Sequence, residues 1–300
     1  MPVSKEYLKG VFYILLSAFS FALMAMFVRL SGDVPFIQKT FFRNSVSLVI
    51  AVFSILLGIF KGESEQFKIP KESWLFLFLR SIAGSIGIFG NFYAIDHLIL
   101  ADASILNKMS PFYTIVFCFL LLNEKIKIVP LFAIITAFLG AMLVAKPSFD
   151  FSKTLPSLVG LAGGFGAGFA YACVRKLGKQ KCSGKIVIMF FSAFSTLLAV
   201  PFMIFNFTPM SKIQLFYLIL AGIAAAVGQF TITAAYYHAP AAKISIFDFC
   251  QIIFSASLGF FVLGQKQDIL SILGYTIILS MAVLNFVYNN RTLKQDIPEN

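Results

Sequence analysis

The chain has 300 residues, of which 59% are hydrophobic and only 12% are charged, and its net charge is +11. A soluble domain carries about 25% charged residues, so this composition excludes an ordinary soluble domain and predicts an integral membrane protein. In such a protein an excess of Lys and Arg reports topology, so we expect no nucleic-acid partner.

Ten apolar segments are each long enough to cross a bilayer as a helix, which takes about 20 residues. In chain order they cover residues 8–30, 36–60, 74–95, 99–122, 128–146, 156–176, 185–206, 213–237, 242–264 and 269–289. The first run is too long for a signal peptide, so we interpret it as a retained span. The sequence therefore predicts an all-α membrane protein with ten transmembrane helices.

The basic residues favour one orientation of these helices. If the N-terminus is inside, the inner segments hold 15 of the 24 Lys and Arg residues and the outer connections hold 4. Positive charge collects on the cytoplasmic side of membrane proteins. We therefore expect a multi-pass protein of the cytoplasmic membrane with both termini in the cytoplasm.

The two halves of the chain resemble each other. "AIDHLILADASIL" at 94–106 aligns without gaps on "AYYHAPAAKISIF" at 235–247, so the only two histidines, His97 and His238, coincide. This predicts repeats at 8–146 and 156–289 joined by a linker at 147–155. Five spans per half is an odd number, so the repeats would be inverted, as in secondary transporters with a cargo site near the midplane. A duplicated membrane protein that transports nothing is the alternative.

Nine polar, charged or aromatic residues within the spans are predicted to bind a substrate. Ionisable groups at membrane depth cost about 2.5–3.5 kcal/mol each on insertion scales and usually face a cavity. The nine residues are Arg43, Arg80, Asn91, Asn107, Lys108, Tyr171, Gln229, Asp248 and Gln251.

The segment "ADASILNKMSPF" at 101–112 of the fourth span predicts a polar stripe, because four of its residues lie on one helical face. They are Ser104, Asn107, Lys108 and Pro111, and Pro111 removes a backbone donor and is expected to open the helix. In the ninth span, Ser245, Asp248, Ile252 and Ser255 likewise share one helical face, with Gln251 beside them. The two stripes are predicted to face each other across a central cavity.

Alternative roles stay open for several of these residues. Lys108 and Asp248 could simply neutralise each other, whereas Arg43 and Arg80 could extend their long side chains to the membrane surfaces. Tyr171 could be a packing aromatic.

Other features have structural or functional interpretations. His97 and His238, at helix ends, are either structural or proton-coupling groups. Asp248 is a third candidate for proton coupling. Glu124 is predicted to be a solvated helix end, and the four cysteines to be reduced thiols without a metal. Glycine-rich stretches in the third and sixth spans are expected to let helices approach and slide.

The chain resembles the EamA-type transporters of the drug/metabolite transporter superfamily. The resemblance covers residues 10–289 and rests on the ten spans in two halves, on "FFRNSVSLVIAV" at 41–52 and on "FYAIDHLILADASILNKMSPFYTIVFCFLLLNEK" at 92–125. The last stretch is similar to the family's small-residue turn, mid-span proline and terminal glutamate. The second half departs from this pattern, because Ile252 replaces the proline and Gln265 the glutamate.

The resemblance implies an alternating-access carrier without a cofactor. Together with the positive candidate cavity, it predicts a secondary transporter of a small polar metabolite, such as an amino acid or an organic anion, with protons as the candidate coupling ion. "RSIAGSIGIFGNFYAI" at 80–95 is similar to a subgroup associated with nucleotide- or adenosyl-type metabolites, so uptake or exchange of those is the alternative. A lipid-modifying enzyme is the alternative of another class. We expect a monomer or a weak homodimer in the bilayer.

Overall fold

The computed structural model of the protein describes residues 5–98, 100–147, 154–264 and 267–295. The helices are α1 (Lys5–Leu30), α2 (Phe36–Phe60), α3 (Ser73–His97), α4 (Leu100–Asn107), α5 (Ser110–Leu122), α6 (Ile128–Ala145), α7 (Thr154–Lys179), α8 (Gly184–Phe205), α9 (Lys212–His238), α10 (Ala241–Ile244), α11 (Cys250–Leu263) and α12 (Ile269–Gln295). Within the described residues they provide ten spans long and apolar enough to cross a membrane. Most of the predicted linker, residues 148–153, lies outside the described residues.

The bundle places polar side chains inside and large apolar side chains outside. Gln38, Asn44 and Asn285 are completely buried, whereas Phe60, Ile128 and other large apolar residues are mostly exposed. An exposed apolar surface of this extent would aggregate in water but matches the hydrocarbon of a bilayer. The ten apolar helices and this surface identify a multi-pass membrane protein.

Two of the ten spans are interrupted. The fourth consists of α4 and α5, with the break between Asn107 and Ser110 and with Pro111 in the first turn of α5. The predicted opening at Pro111 is confirmed, because proline suits a helix start but lacks a donor for a helix interior. The prediction of a single continuous polar stripe was wrong, however, since Ser104 is exposed and Ser110, beyond the break, is buried.

The ninth span is interrupted at the matching place without a proline. It consists of α10, a 3₁₀ segment at Ser245–Phe249 and then α11. A 3₁₀ segment within a span often marks a hinge or a functional site. The ninth span is therefore interrupted even though Ile252 stands where the first half has its proline.

The helix packing is symmetrical between the two halves. α3 packs mainly on α7, and their counterparts α9 and α1 pack on each other; α2 pairs with α8, and α6 with α12. Exchanging the first five spans for the last five reproduces this set of pairs. The packing is consistent with the two inverted five-helix repeats expected from the sequence.

Glycines allow α7 to pack at backbone distance against both α3 and the fourth span. A Cβ on Gly163 would lie 2.9 Å from the amide nitrogen of Asn91, and a Cβ on Gly90 would lie 2.9 Å from Gly163 Cα. On another face of α7, a Cβ on Gly164 would collide with the carbonyl oxygen of Leu106. Small residues give such close approach in lipid, where dispersion contacts drive helix association. The glycines thus fix α7 tightly between its neighbours.

An aromatic cluster lines the contact between α3 and α8. The only tryptophan, Trp74, meets Phe190 edge to face with ring centroids 6.0 Å apart, and Phe78 meets the same ring at 5.0 Å. Edge-to-face rings are a favoured aromatic geometry. This cluster sets the spacing of α3 and α8 near the start of α3.

Glu124 is not the solvated helix end expected from the sequence. Its side chain is 8% exposed, and Arg175 Nε donates to Glu124 Oε1 over 2.7 Å. Arg175 Nη1 also donates to the carbonyl oxygens of Tyr236 and Tyr237 at the end of α9, while Glu124 accepts from the amide of Ala241 at the start of α10. Helix ends leave peptide groups without partners inside the helix. The ion pair supplies those partners and ties the ends of the fourth, sixth, eighth and ninth spans together.

Replacing Gly163 by valine should destabilise the bundle. The new side chain would overlap the backbone of α3, and overpacking of this kind costs about 1–3 kcal/mol. The free energy of unfolding in detergent measures the effect, with Leu158→Val on the exposed face of α7 as the matched control. Equal stability of the two variants would contradict the close contact.

Replacing Arg175 by methionine should cost about 3–5 kcal/mol, because Lys179, at 3.5 Å, is then the one described cation beside the buried Glu124 carboxylate. The double variant Glu124→Gln/Arg175→Met should recover part of this loss, since no charge is then left unpaired. Lys179→Met, which removes the more exposed cation, is the control. A loss in Arg175→Met no larger than in Lys179→Met would refute the assigned role.

Candidate functional site: a charged cavity at membrane depth

A cavity of about 130 Å³ lies inside the bundle and is lined by residues of both halves. All nine residues predicted to bind a substrate line it: Arg43, Arg80, Asn91, Asn107, Lys108, Tyr171, Gln229, Asp248 and Gln251. The structure thus brings together side chains from six helices, from the break of the fourth span and from the 3₁₀ segment. Whether they bind a substrate stays a prediction.

The two interrupted spans meet at an ion pair. Lys108 Nζ, in the break of the fourth span, donates to Asp248 Oδ2 over 2.8 Å and to Gln251 Oε1 over 2.8 Å. It also donates to the main-chain carbonyl of Asp248 over 3.1 Å. Both charged residues are buried. The pairing that was left open is therefore present, and the two charges neutralise each other in the wall of the cavity.

Arg80 turns into the cavity instead of reaching a membrane surface. It is 2% exposed, its Nη2 donates to Gln229 Oε1 over 3.1 Å, and its guanidinium lies 4.0 Å above the centre of the Phe191 ring. Its side chain runs along α3 past Gly84, where a Cβ would collide with Nη1. A cation over an aromatic face is attracted by the ring quadrupole. Three neighbours thus hold the guanidinium in one place.

Arg43 is buried in the same cavity. It is 5% exposed, Nη1 donates to Asn44 Oδ1 over 2.9 Å, and Nε donates to the sulfur of Met24 over 3.2 Å. Arg43 lies seven residues into α2 and Arg80 seven into α3, so each is about 10 Å of helix rise from the start of its span. The alternative that these arginines extend to the membrane surfaces is wrong in this conformation.

Tyr171 combines packing with a place in the cavity wall. Its ring stacks on Tyr236 with centroids 5.4 Å apart and an interplanar angle of 25°. The hydroxyl of Tyr236 lies 3.3 Å from Ser245 Oγ, in the 3₁₀ segment. Tyr171 is therefore braced against the ninth span while still facing the cavity.

The two histidines do not line the cavity. His97 ends α3, stacks on Tyr93 and has Nδ1 2.9 Å from the Tyr93 carbonyl oxygen. His238 ends α9, stacks on Tyr13 and has Nδ1 2.5 Å from Glu6 Oε2. Among the three proton-coupling candidates, only Asp248 is part of the cavity.

Sequence reasoning missed several residues of the site. Gly84 and Phe191 shape the position of Arg80, and Met24 and Ser110 add to the wall. A signal for Phe191 was present in the internal repeat. When "FFRNSVSLVIAV" at 41–52 is aligned with "MFFSAFSTLLAV" at 189–200, Phe191 falls opposite Arg43. Its role could not be inferred there, since nothing local shows that an arginine of another helix lies over the ring.

The fold agrees with the comparisons to known proteins. The EamA-like transporter family matches residues 8–146. The chain is 30% identical over 273 residues to the pseudopaline exporter CntI of Pseudomonas aeruginosa (strain UCBPP-PA14). The aligned region covers 90% of this chain and 93% of that protein. The chain is 26% identical to an uncharacterized transporter of Helicobacter pylori (strain ATCC 700392 / 26695), over 92% of this chain and 93% of that protein.

More distant relatives extend the same likeness. Solute carrier family 35 member G1 of Mus musculus is 28% identical over 82% of this chain and 69% of its own length. A solved crystal structure with 15% sequence identity and a TM-score of 0.80 covers 96% of this chain and 99% of its own, which shows the shared fold. The chain is a membrane transporter that belongs to the EamA-like family of the drug/metabolite transporter superfamily.

Proposed function

We propose that the protein is a secondary active carrier that moves a small polar metabolite, an amino acid or an organic anion, across the cytoplasmic membrane by alternating access. The observation that carries this proposal is a cavity at membrane depth, built by both halves around buried charges. Carriers with inverted repeats bind cargo at such a place, in discontinuous helices near the midplane. The similarity to an exporter, CntI, favours export as the direction.

The size of the cavity favours a compact cargo over a nucleotide. Sites for drug-sized ligands have volumes of about 300–1,000 Å³, whereas this cavity has about 130 Å³. A nucleotide- or adenosyl-type metabolite would need substantial opening of the bundle. The uptake or exchange of such compounds therefore remains the second candidate.

A carrier also accounts better for the charges than a lipid-modifying enzyme. Among the described residues, the cavity wall contains a single carboxylate, Asp248, and it is paired with Lys108. Metal-assisted enzymes need several oxygen ligands that are free to bind the ion. Three buried cations beside one paired carboxylate suit the binding of an anion.

We assign proton coupling to Asp248. Protonation of this carboxylate would break the 2.8 Å ion pair, release Lys108 into the cavity and loosen the contact between the two interrupted spans. The same event thus changes the charge of the cavity and the packing of the helices around it. His97 and His238 lie outside the cavity and serve as comparison positions.

Ligand-induced stabilisation and counterflow test the proposed function. The purified protein is screened by thermal unfolding against amino acids, carboxylates, nucleotides and adenosyl compounds; a ligand at 100 times its Kd adds about 2.7 kcal/mol to the free energy of unfolding. Counterflow of the stabilising ligand into proteoliposomes should then saturate. Stabilisation without saturable counterflow would show a binding protein or a channel instead of a carrier.

Asp248→Asn should abolish transport driven by a pH gradient while leaving counterflow, which needs no coupling, measurable. His97→Gln and His238→Gln should retain both activities. Since Asp248→Asn leaves Lys108 buried with fewer anionic contacts, the double variant Lys108→Met/Asp248→Asn controls for misfolding. Unchanged gradient-driven transport in Asp248→Asn would remove this residue from the coupling mechanism.

A further inference from the structure

The cavity carries two positive charges that nothing in the described residues balances. Four of its lining side chains belong to residue types that are charged at neutral pH: Arg43, Arg80, Lys108 and Asp248. Lys108 and Asp248 neutralise each other in the 2.8 Å ion pair. The two guanidiniums remain, so the cavity has an excess charge of +2.

The described partners of both guanidiniums are neutral. Arg43 donates to an amide oxygen of Asn44 and to the sulfur of Met24. Arg80 donates to the amide oxygen of Gln229 and lies over the Phe191 ring. Amides, thioethers and aromatic rings accept from a cation but do not cancel its charge. A buried charge without a counter-ion costs several kcal/mol, so the two guanidiniums are electrostatically unfavourable with these partners alone.

The surroundings keep Arg80 in this unfavourable position instead of allowing it to leave. Gly84 provides the space for Nη1, Phe191 lies under the guanidinium and Gln229 fixes Nη2. Arginine has a long side chain that readily extends toward a membrane surface when it is free to do so. A charge that is held in place without a counter-ion is typical of a site prepared for a charged ligand.

We propose that the cargo carries two acidic groups and no free cationic group, so that a compact dianion binds between Arg43 and Arg80 and makes the loaded cavity neutral. This inference rests on the proposed transport function and specifies its substrate class. A monoanion would leave one guanidinium unbalanced. A zwitterionic amino acid would bring an ammonium group for which Asp248, already bound by Lys108, is not available.

The first test needs no ligand. In a buffer without divalent anions, Arg43→Met and Arg80→Met should each raise the thermal midpoint of the empty protein, because each removes an unbalanced buried charge. Lys108→Met should lower it, since it leaves Asp248 buried and unpaired. If both arginine variants instead destabilise the protein as Lys108→Met does, the guanidiniums are structural and the proposal is overturned.

The second test compares probes that differ in single charged groups. Succinate should stabilise the protein at concentrations about tenfold or more below those required for succinamate, in which one carboxylate is an amide, because a charge-assisted hydrogen bond is lost. Aspartate, which adds an ammonium group, should also be weaker than succinate. Glycerol 3-phosphate in the same series separates a dicarboxylate from a phosphate monoester as the dianion.

Variants at the two arginines and at Gly84 show whether the dianions bind in the cavity. Stabilisation by succinate or glycerol 3-phosphate should be lost in Arg43→Met and in Arg80→Met, and weakened in Gly84→Ala, which keeps the charge but displaces it. Equal or stronger stabilisation by succinamate, aspartate or a cationic compound, or none by either dianion, would refute the dianion class. Dianion binding without counterflow would instead refute the carrier function, so the two failures are distinguishable.

Discussion

The ion pair of Lys108 and Asp248 is the contact on which the cavity depends. It joins the two interrupted spans, and Lys108 donates hydrogen bonds to both the carboxylate and the main-chain carbonyl of Asp248. Irregular backbone at membrane depth is tolerated only where protein or a wet cavity supplies partners for the peptide groups that the helix no longer satisfies. Lys108 provides such a partner for the main-chain carbonyl of Asp248 at the break of the ninth span. The two breaks in turn make room for polar groups in the middle of the bundle.

The two halves share their packing but not their chemistry. The cations of the cavity, Arg43, Arg80 and Lys108, all belong to the first half, whereas the second half contributes a carboxylate, amides and aromatic rings. Phe191, which aligns with Arg43, shows how the repeats have diverged: one position holds a cation, and its counterpart holds the ring under another cation. Symmetrical helices thus enclose a cavity with one positive wall and one neutral or acidic wall.

The fold could be predicted almost completely, because the length of an apolar run determines a membrane span. The nine cavity residues could also be found, since a polar side chain at membrane depth needs an interior partner or a cavity. The breaks were only partly predictable: Pro111 is a local signal, but the 3₁₀ segment at 245–249 has none. Glu124 was misjudged because its partner, Arg175, is 51 residues away in the sequence. Such long-range partners, like the neighbours of Arg80, follow from packing that a local pattern does not contain.

The aromatic cluster at the start of α3 has a practical consequence. Trp74 is the only tryptophan of the chain, and its partner Phe190 is the direct neighbour of Phe191, the ring beneath Arg80. Intrinsic fluorescence therefore originates from one point on the contact of α3 with α8. When these helices move relative to each other, the indole exchanges a ring contact for lipid or water, so its emission follows the opening of the bundle without an introduced label.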